Sequence, residues 1–162
     1  ECLRQMVEDG IAILKVGPAL TNAAREGLFA LEAIASELPG VECVSFRAAL
    51  VAAMKENDSY WKSYYQGTPE EVAYEMCFGM SDRCRYYLNT PGVQQAVSGL
   101  ISCLGEREIP LQLISQYLPQ QTARVQQGAL RPVAQELLLD RIAECCREYH
   151  YAAGEMGKLG FL

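Results

Sequence analysis

One short run constrains this chain more than any other: Ile11-Ala12-Ile13-Leu14-Lys15-Val16, the only stretch whose alternation suits an extended strand rather than a helix. Alternate side chains put Ile11, Ile13 and Lys15 on one face and Ala12, Leu14 and Val16 on the other. A lone strand leaves its amides and carbonyls unpaired, so the pattern predicts a strand over 11–16 whose partners lie outside this chain. Gly17-Pro18 breaks the run, and Thr21 is placed to cap the helix that follows, its hydroxyl accepting from an otherwise unpaired amide.

That helix carries an apolar stripe at Leu20, Ala24, Leu28, Leu31, Ala35 and Leu38 and ends at Pro39-Gly40. The rest is almost wholly helical in pattern. Phe46, Leu50, Val51 and Met54 form one stripe, and a less regular one runs from Glu70 to Tyr87. Val93, Val97, Leu100, Ile101 and Leu104 form a third. After Pro110 come Leu111, Ile114 and Leu118, which Pro119 interrupts. Pro132 suits the first position of a last helix lined by Val133, Leu137, Ile142, Cys145 and Tyr149, and a Gly-rich tail from Gly154 is expected to fray. The division falls near Gly40: a strand-loop-helix unit over 1–40 and a helical extension over 41–162. The opening at Glu1, without an initiator Met, reads as part of a longer polypeptide.

Fourteen Lys and Arg stand against 20 Asp and Glu, a net charge of −6, which disfavours nucleic acid as a partner. No apolar stretch approaches the roughly 20 residues of a bilayer span, so no membrane partner is expected either. The seven cysteines follow no metal or disulfide spacing and are read as thiols acting as small apolar residues in a reducing cytoplasm. His150 is the single histidine, and its place near the end of the last helix suits a solvated imidazole better than a metal ligand.

Several motifs then accumulate in order. Ile13-Leu14-Lys15-Val16-Gly17-Pro18-Ala19-Leu20-Thr21 with Arg25-Glu26, Tyr60-Trp61-Lys62 with Tyr64-Tyr65, Ser81-Asp82-Arg83 with Arg85-Tyr86-Tyr87, Ile109-Pro110-Leu111, and Ile114 through Pro119 resemble the GatZ/KbaZ family over nearly the whole chain. Members are accessory subunits of D-tagatose-1,6-bisphosphate aldolase and have also been labelled tagatose-6-phosphate kinases. The resemblance implies an α/β fold: the carboxy-terminal portion of a class II aldolase-like (β/α)8 TIM barrel, with its late strand at 11–16. It also implies a non-catalytic subunit, with no catalytic or metal-binding residue and no cofactor here. Zinc would sit in the partner aldolase subunit, and the setting would be cytoplasmic galactitol or N-acetylgalactosamine-type catabolism.

Candidate binding residues follow from that frame. Gly17 and Thr21 would line a phosphate-binding loop at the strand's carboxyl end. Lys15 could bind an anion, form an imine in a stand-alone aldolase, or simply pair with a carboxylate elsewhere. Arg83 and Arg85 suit bidentate phosphate contact, although Asp82 and Arg85 could instead pair as helical neighbours. Tyr60, Trp61, Tyr64 and Tyr65 offer either a subunit contact or core packing. A sugar phosphate and self-association into a homo-oligomer both stay open. No nucleotide-cradling Gly-rich motif supports a kinase.

Overall fold

The computed structural model describes residues 2–157, with side chains described for 2–154. The elements run α1 (Cys2–Glu8), α2 (Ala19–Glu37), α3 (Phe46–Glu56), α4 (Pro69–Phe78), a 3-10 turn (Cys84–Tyr86), α5 (Pro91–Leu104), α6 (Leu111–Tyr117), α7 (Pro119–Gln126) and α8 (Ala134–Gly157). Among the described residues there is no strand, so the expected α/β fold with a barrel strand at 11–16 is corrected: the described chain is all-helical. The physical reason is pairing. No second strand lies beside 11–16 to complete a ladder, and the run is irregular and solvent-facing, with Ile13 84% exposed.

Local chemistry sets the helix ends. Ser45 caps α3 by accepting the Ala48 amide at 3.0 Å. Thr68 and Glu71 form a reciprocal capping box at α4, where Pro69 takes a first-turn position that needs no amide donor. Two expected helix starts are corrected. Pro18 precedes the first residue of α2, and Thr21 lies one turn in, donating its hydroxyl to the Pro18 carbonyl at 2.9 Å. Helix α8 starts at Ala134, two residues after Pro132, whose carbonyl accepts the Ile109 amide at 2.7 Å and ties the start of α8 to the chain ahead of α6. Helix α8 runs to Gly157, into the tail from Gly154 that was expected to fray; 158–162 lie outside the described residues.

Helix α2 is the central element. Leu28, Leu31, Ile34 and Ala35 face a continuous core with Phe46, Leu50 and Met54 of α3, Leu100 and Leu104 of α5, Ile114 of α6 and Leu137 of α8. Full burial of each large aliphatic side chain contributes roughly 1.5–3 kcal/mol, which makes this shared core the dominant stabilising feature. Gly27 lets α2 and α8 approach closely, because a Cβ there would lie 2.8 Å from Leu138 Cδ1.

The reading of all cysteines as free thiols is also corrected. Cys43, in the loop leaving α2, is disulfide-bonded to Cys103 near the end of α5, with their Cα atoms 5.7 Å apart. Cys77, Cys84 and Cys145 are buried thiols, whereas Cys2 and Cys146 are exposed. No helix among the described residues is long and apolar enough to cross a membrane.

Candidate functional site

The segment that follows α4 contributes residues to two features. The first is an open groove of about 800 Å³ between α2, residues 78–80 with Asp82, and Tyr117 and Tyr149 from α6 and α8. Arg25 forms part of its wall and is 8% exposed. Its Nη1 donates to the Cys77 carbonyl, and its Nη2 donates to Asn22 Oδ1 at 2.5 Å. Cys77 lies in the last turn of α4, so the guanidinium sits where the helix dipole is negative and an orphan carbonyl needs a donor.

Asp82 lines the same groove and accepts from the Cys84 thiol at 2.6 Å. Burial first, and then that carboxylate, push the Cys84 thiol far above its ordinary range. Arg25 Nε and Asp82 Oδ2 have no hydrogen-bond partner and are shielded from solvent, so these atoms do not present themselves to a ligand. The two charged groups build the groove wall rather than offering open donors and acceptors.

The second feature is a surface where two sequence motifs meet. The Arg83 guanidinium lies 3.4 Å from the centroid of the Tyr64 ring, while its Nε and Nη2 donate to Ser81 Oγ at 3.2 and 3.0 Å. Arg85 lies 4.7 Å from the Tyr86 centroid and donates Nη2 to the Tyr86 hydroxyl at 2.7 Å. That hydrogen bond holds the Tyr86 phenol below its ordinary pKa. Tyr86 stacks on Tyr60 with centroids 4.7 Å apart, and Tyr60 meets Tyr87 edge-on at 5.8 Å.

The predicted residues therefore separate. Arg83, Arg85, Tyr60 and Tyr64 share this face. Trp61 turns inward, donating Nε1 to the Met54 carbonyl at 2.6 Å, and Tyr65 is buried. The helical Asp82–Arg85 pair does not form, because 84–86 make a 3-10 turn and Asp82 engages Cys84 instead. Lys15 is exposed with no ion pair among the described residues, and Thr21 spends its hydroxyl on Pro18. Gly17 lines the groove together with Pro18 and Ala19, whereas Lys15 and Thr21 do not, so Lys15, Gly17 and Thr21 are not gathered into one site.

Arg25 stands in the sequence only as part of a motif and not as a site residue, although its place three residues before Leu28 on the buried stripe was a usable signal. His150 is exposed, and no group of three or more His, Cys, Asp or Glu among the described residues is placed to hold a metal ion.

An all-helical domain bearing a groove and an Arg-Tyr face is the class that these features define. The family described as D-tagatose-1,6-bisphosphate aldolase subunit GatZ/KbaZ-like matches residues 1–154, and the chain belongs to that family. It is also similar to a solved structure from Sinorhizobium meliloti 1021 described as a probable tagatose 6 phosphate kinase, at 40% identity and a TM-score of 0.85. That match covers 93% of this chain and 39% of the solved chain, so this chain spans well under half the length of its relative.

Proposed function

We propose that the protein is an accessory subunit that supports the activity and stability of a D-tagatose-1,6-bisphosphate aldolase. The observation that carries this reading is the family match across residues 1–154, whose description is that of an aldolase subunit. The proposal extends to cytoplasmic galactitol or N-acetylgalactosamine-type catabolism, and it assigns the zinc to the catalytic partner. The described residues here do not fit a metal centre, and no chemical step is routed through one.

The chemistry assigned to this chain is contact. Arg83 and Arg85 bring donors that suit an anionic group, and Tyr60 and Tyr64 bring exposed aromatic surface beside them. The test is co-purification of the full-length protein with the cognate catalytic subunit, followed by an aldolase assay. A stable complex with raised aldolase activity is expected; no complex and unchanged activity would contradict the reading.

A second reading is a sugar-phosphate kinase acting alone, favoured by the description of the Sinorhizobium meliloti relative. Its test is ATP-dependent phosphorylation of tagatose 6-phosphate by the full-length protein without an aldolase present. Turnover there would favour the kinase, and its absence would remove it.

A further inference from the structure

Resting on the accessory-subunit reading, we propose that the face formed by Arg83, Arg85, Tyr60, Tyr64 and Tyr86 docks an acidic segment of the catalytic subunit. The chain as a whole carries a formal charge of −6, and Arg124, Arg131, Arg141 and Arg147 each hold a carboxylate. Arg83 and Arg85 hold none among the described residues. The acid next to Arg83 in sequence, Asp82, is turned toward the Cys84 thiol, with its second oxygen shielded from solvent. The face is therefore locally cationic on an acidic protein, and a carboxylate-bearing partner complements it.

Both arginines are also preorganised. Each guanidinium lies against a tyrosine ring and is steered by a neutral hydroxyl, which fixes the group without neutralising it. Arg83 spends Nε and Nη2 on Ser81, leaving Nη1; Arg85 spends Nη2 on Tyr86, leaving Nε and Nη1. Such leftover donors suit a carboxylate, and little rotamer freedom remains to be lost on binding.

The face also carries exposed aromatic area. Tyr60, Tyr64 and Tyr86 are 45%, 54% and 43% exposed, and a tyrosine's apolar body with a polar tip is the usual anchor of a protein contact. Beneath them the backbone is held by the buried Tyr65 hydroxyl, so the face has a fixed base. Paired arginines on tyrosines fit a chain of carboxylates better than one small anion, because the stacked rings extend the contact beyond a single charged group.

The experiment measures binding of the full-length protein to its cognate catalytic subunit at low and high salt. Wild type is compared with Arg83→Ala/Arg85→Ala, with Arg85→Ala alone, and with Arg83→Lys/Arg85→Lys. The wild type should bind with an affinity that falls as salt rises. The double alanine variant should bind roughly tenfold or more weakly and lose most of its salt dependence, and Arg85→Ala alone should show a smaller loss in the same direction. The lysine variant should regain the salt dependence but only part of the affinity, since lysine cannot reproduce the fork.

Wild-type affinity and salt dependence in Arg85→Ala, or in a folded double variant, would overturn the docking face while leaving the accessory reading intact. Failure of the wild type to bind would overturn the accessory reading and the docking proposal with it. Two controls test other occupants. A wild-type dimer that the double alanine variant disperses would place a second copy there instead, and inorganic phosphate competing as effectively as the subunit would make the face a small-anion site; either result overturns the proposal.

Discussion

Tyr65 holds Arg83 from the inside: its hydroxyl accepts the Arg83 backbone amide at 3.2 Å while donating to the Ser81 carbonyl at 2.8 Å. The ring is buried beside Trp61, so one side chain of the core fixes the loop that carries both the groove wall and the arginine face. Removing the hydroxyl strands an amide and a carbonyl. Tyr65→Phe should therefore cost about 1–3 kcal/mol of stability. Denaturant unfolding checks it, and an unchanged midpoint would mean that water replaces the phenol without loss.

The same loop leaves α4 through Gly79, where a Cβ would lie 2.6 Å from the Glu75 carbonyl oxygen and 3.1 Å from Tyr65 Cε1. A backbone oxygen cannot swing aside as a side-chain tip can. Gly79→Ala is expected to lower stability by roughly 1–3 kcal/mol. Thermal unfolding of the variant provides the measurement, and equal or greater stability would show that the turn can open freely.

Thiol chemistry gives a pH-dependent prediction. Burial raises Cys77, and burial with the Asp82 hydrogen bond raises Cys84, so the folded protein keeps these protons to higher pH than the unfolded chain does. Their stabilisation is complete below the unfolded thiol value of about 8.5 and is lost as pH rises toward the folded values. The denaturant midpoint should stay level near neutrality, fall in the alkaline range, and fall less steeply in Cys84→Ala. In the native state iodoacetamide should label Cys2 and Cys146 and spare Cys77 and Cys84, because the thiolate is the reactive form. Rapid native labelling of Cys84 would contradict the buried Asp82–Cys84 arrangement.

Counting thiols tests the Cys43–Cys103 link. Alkylation of the chain after denaturation should find five thiols without reductant and seven with it. The bond closes a separation of 60 residues, for which chain entropy predicts about 4 kcal/mol of stabilisation. Reduction, or Cys43→Ser, should lower the unfolding midpoint accordingly. Seven thiols without reductant would contradict the Cys43–Cys103 link.

Most of the helical architecture was readable because burial repeats every three to four residues. Phe46, Leu50 and Met54, or Val93, Leu100 and Leu104, announce their helices and their core face together. The run at 11–16 misled for a definite reason: alternation describes one strand's side chains, whereas a sheet needs a neighbour that no local pattern reveals. Long-range pairings were equally silent. Nothing in the spacing joins Cys43 to Cys103, or sets Tyr64 under Arg83 across a reversal of the chain. The residue types of the Arg-Tyr face were legible, but their convergence was not.

Support of a catalytic partner is most directly tested by the inactivation half-life of the cognate aldolase subunit, measured at fixed temperature while full-length protein is titrated in. The account predicts a half-life and specific activity that rise together and level off at a fixed ratio of the two chains. A half-life and activity that stay flat across the titration, with both chains folded, would contradict it.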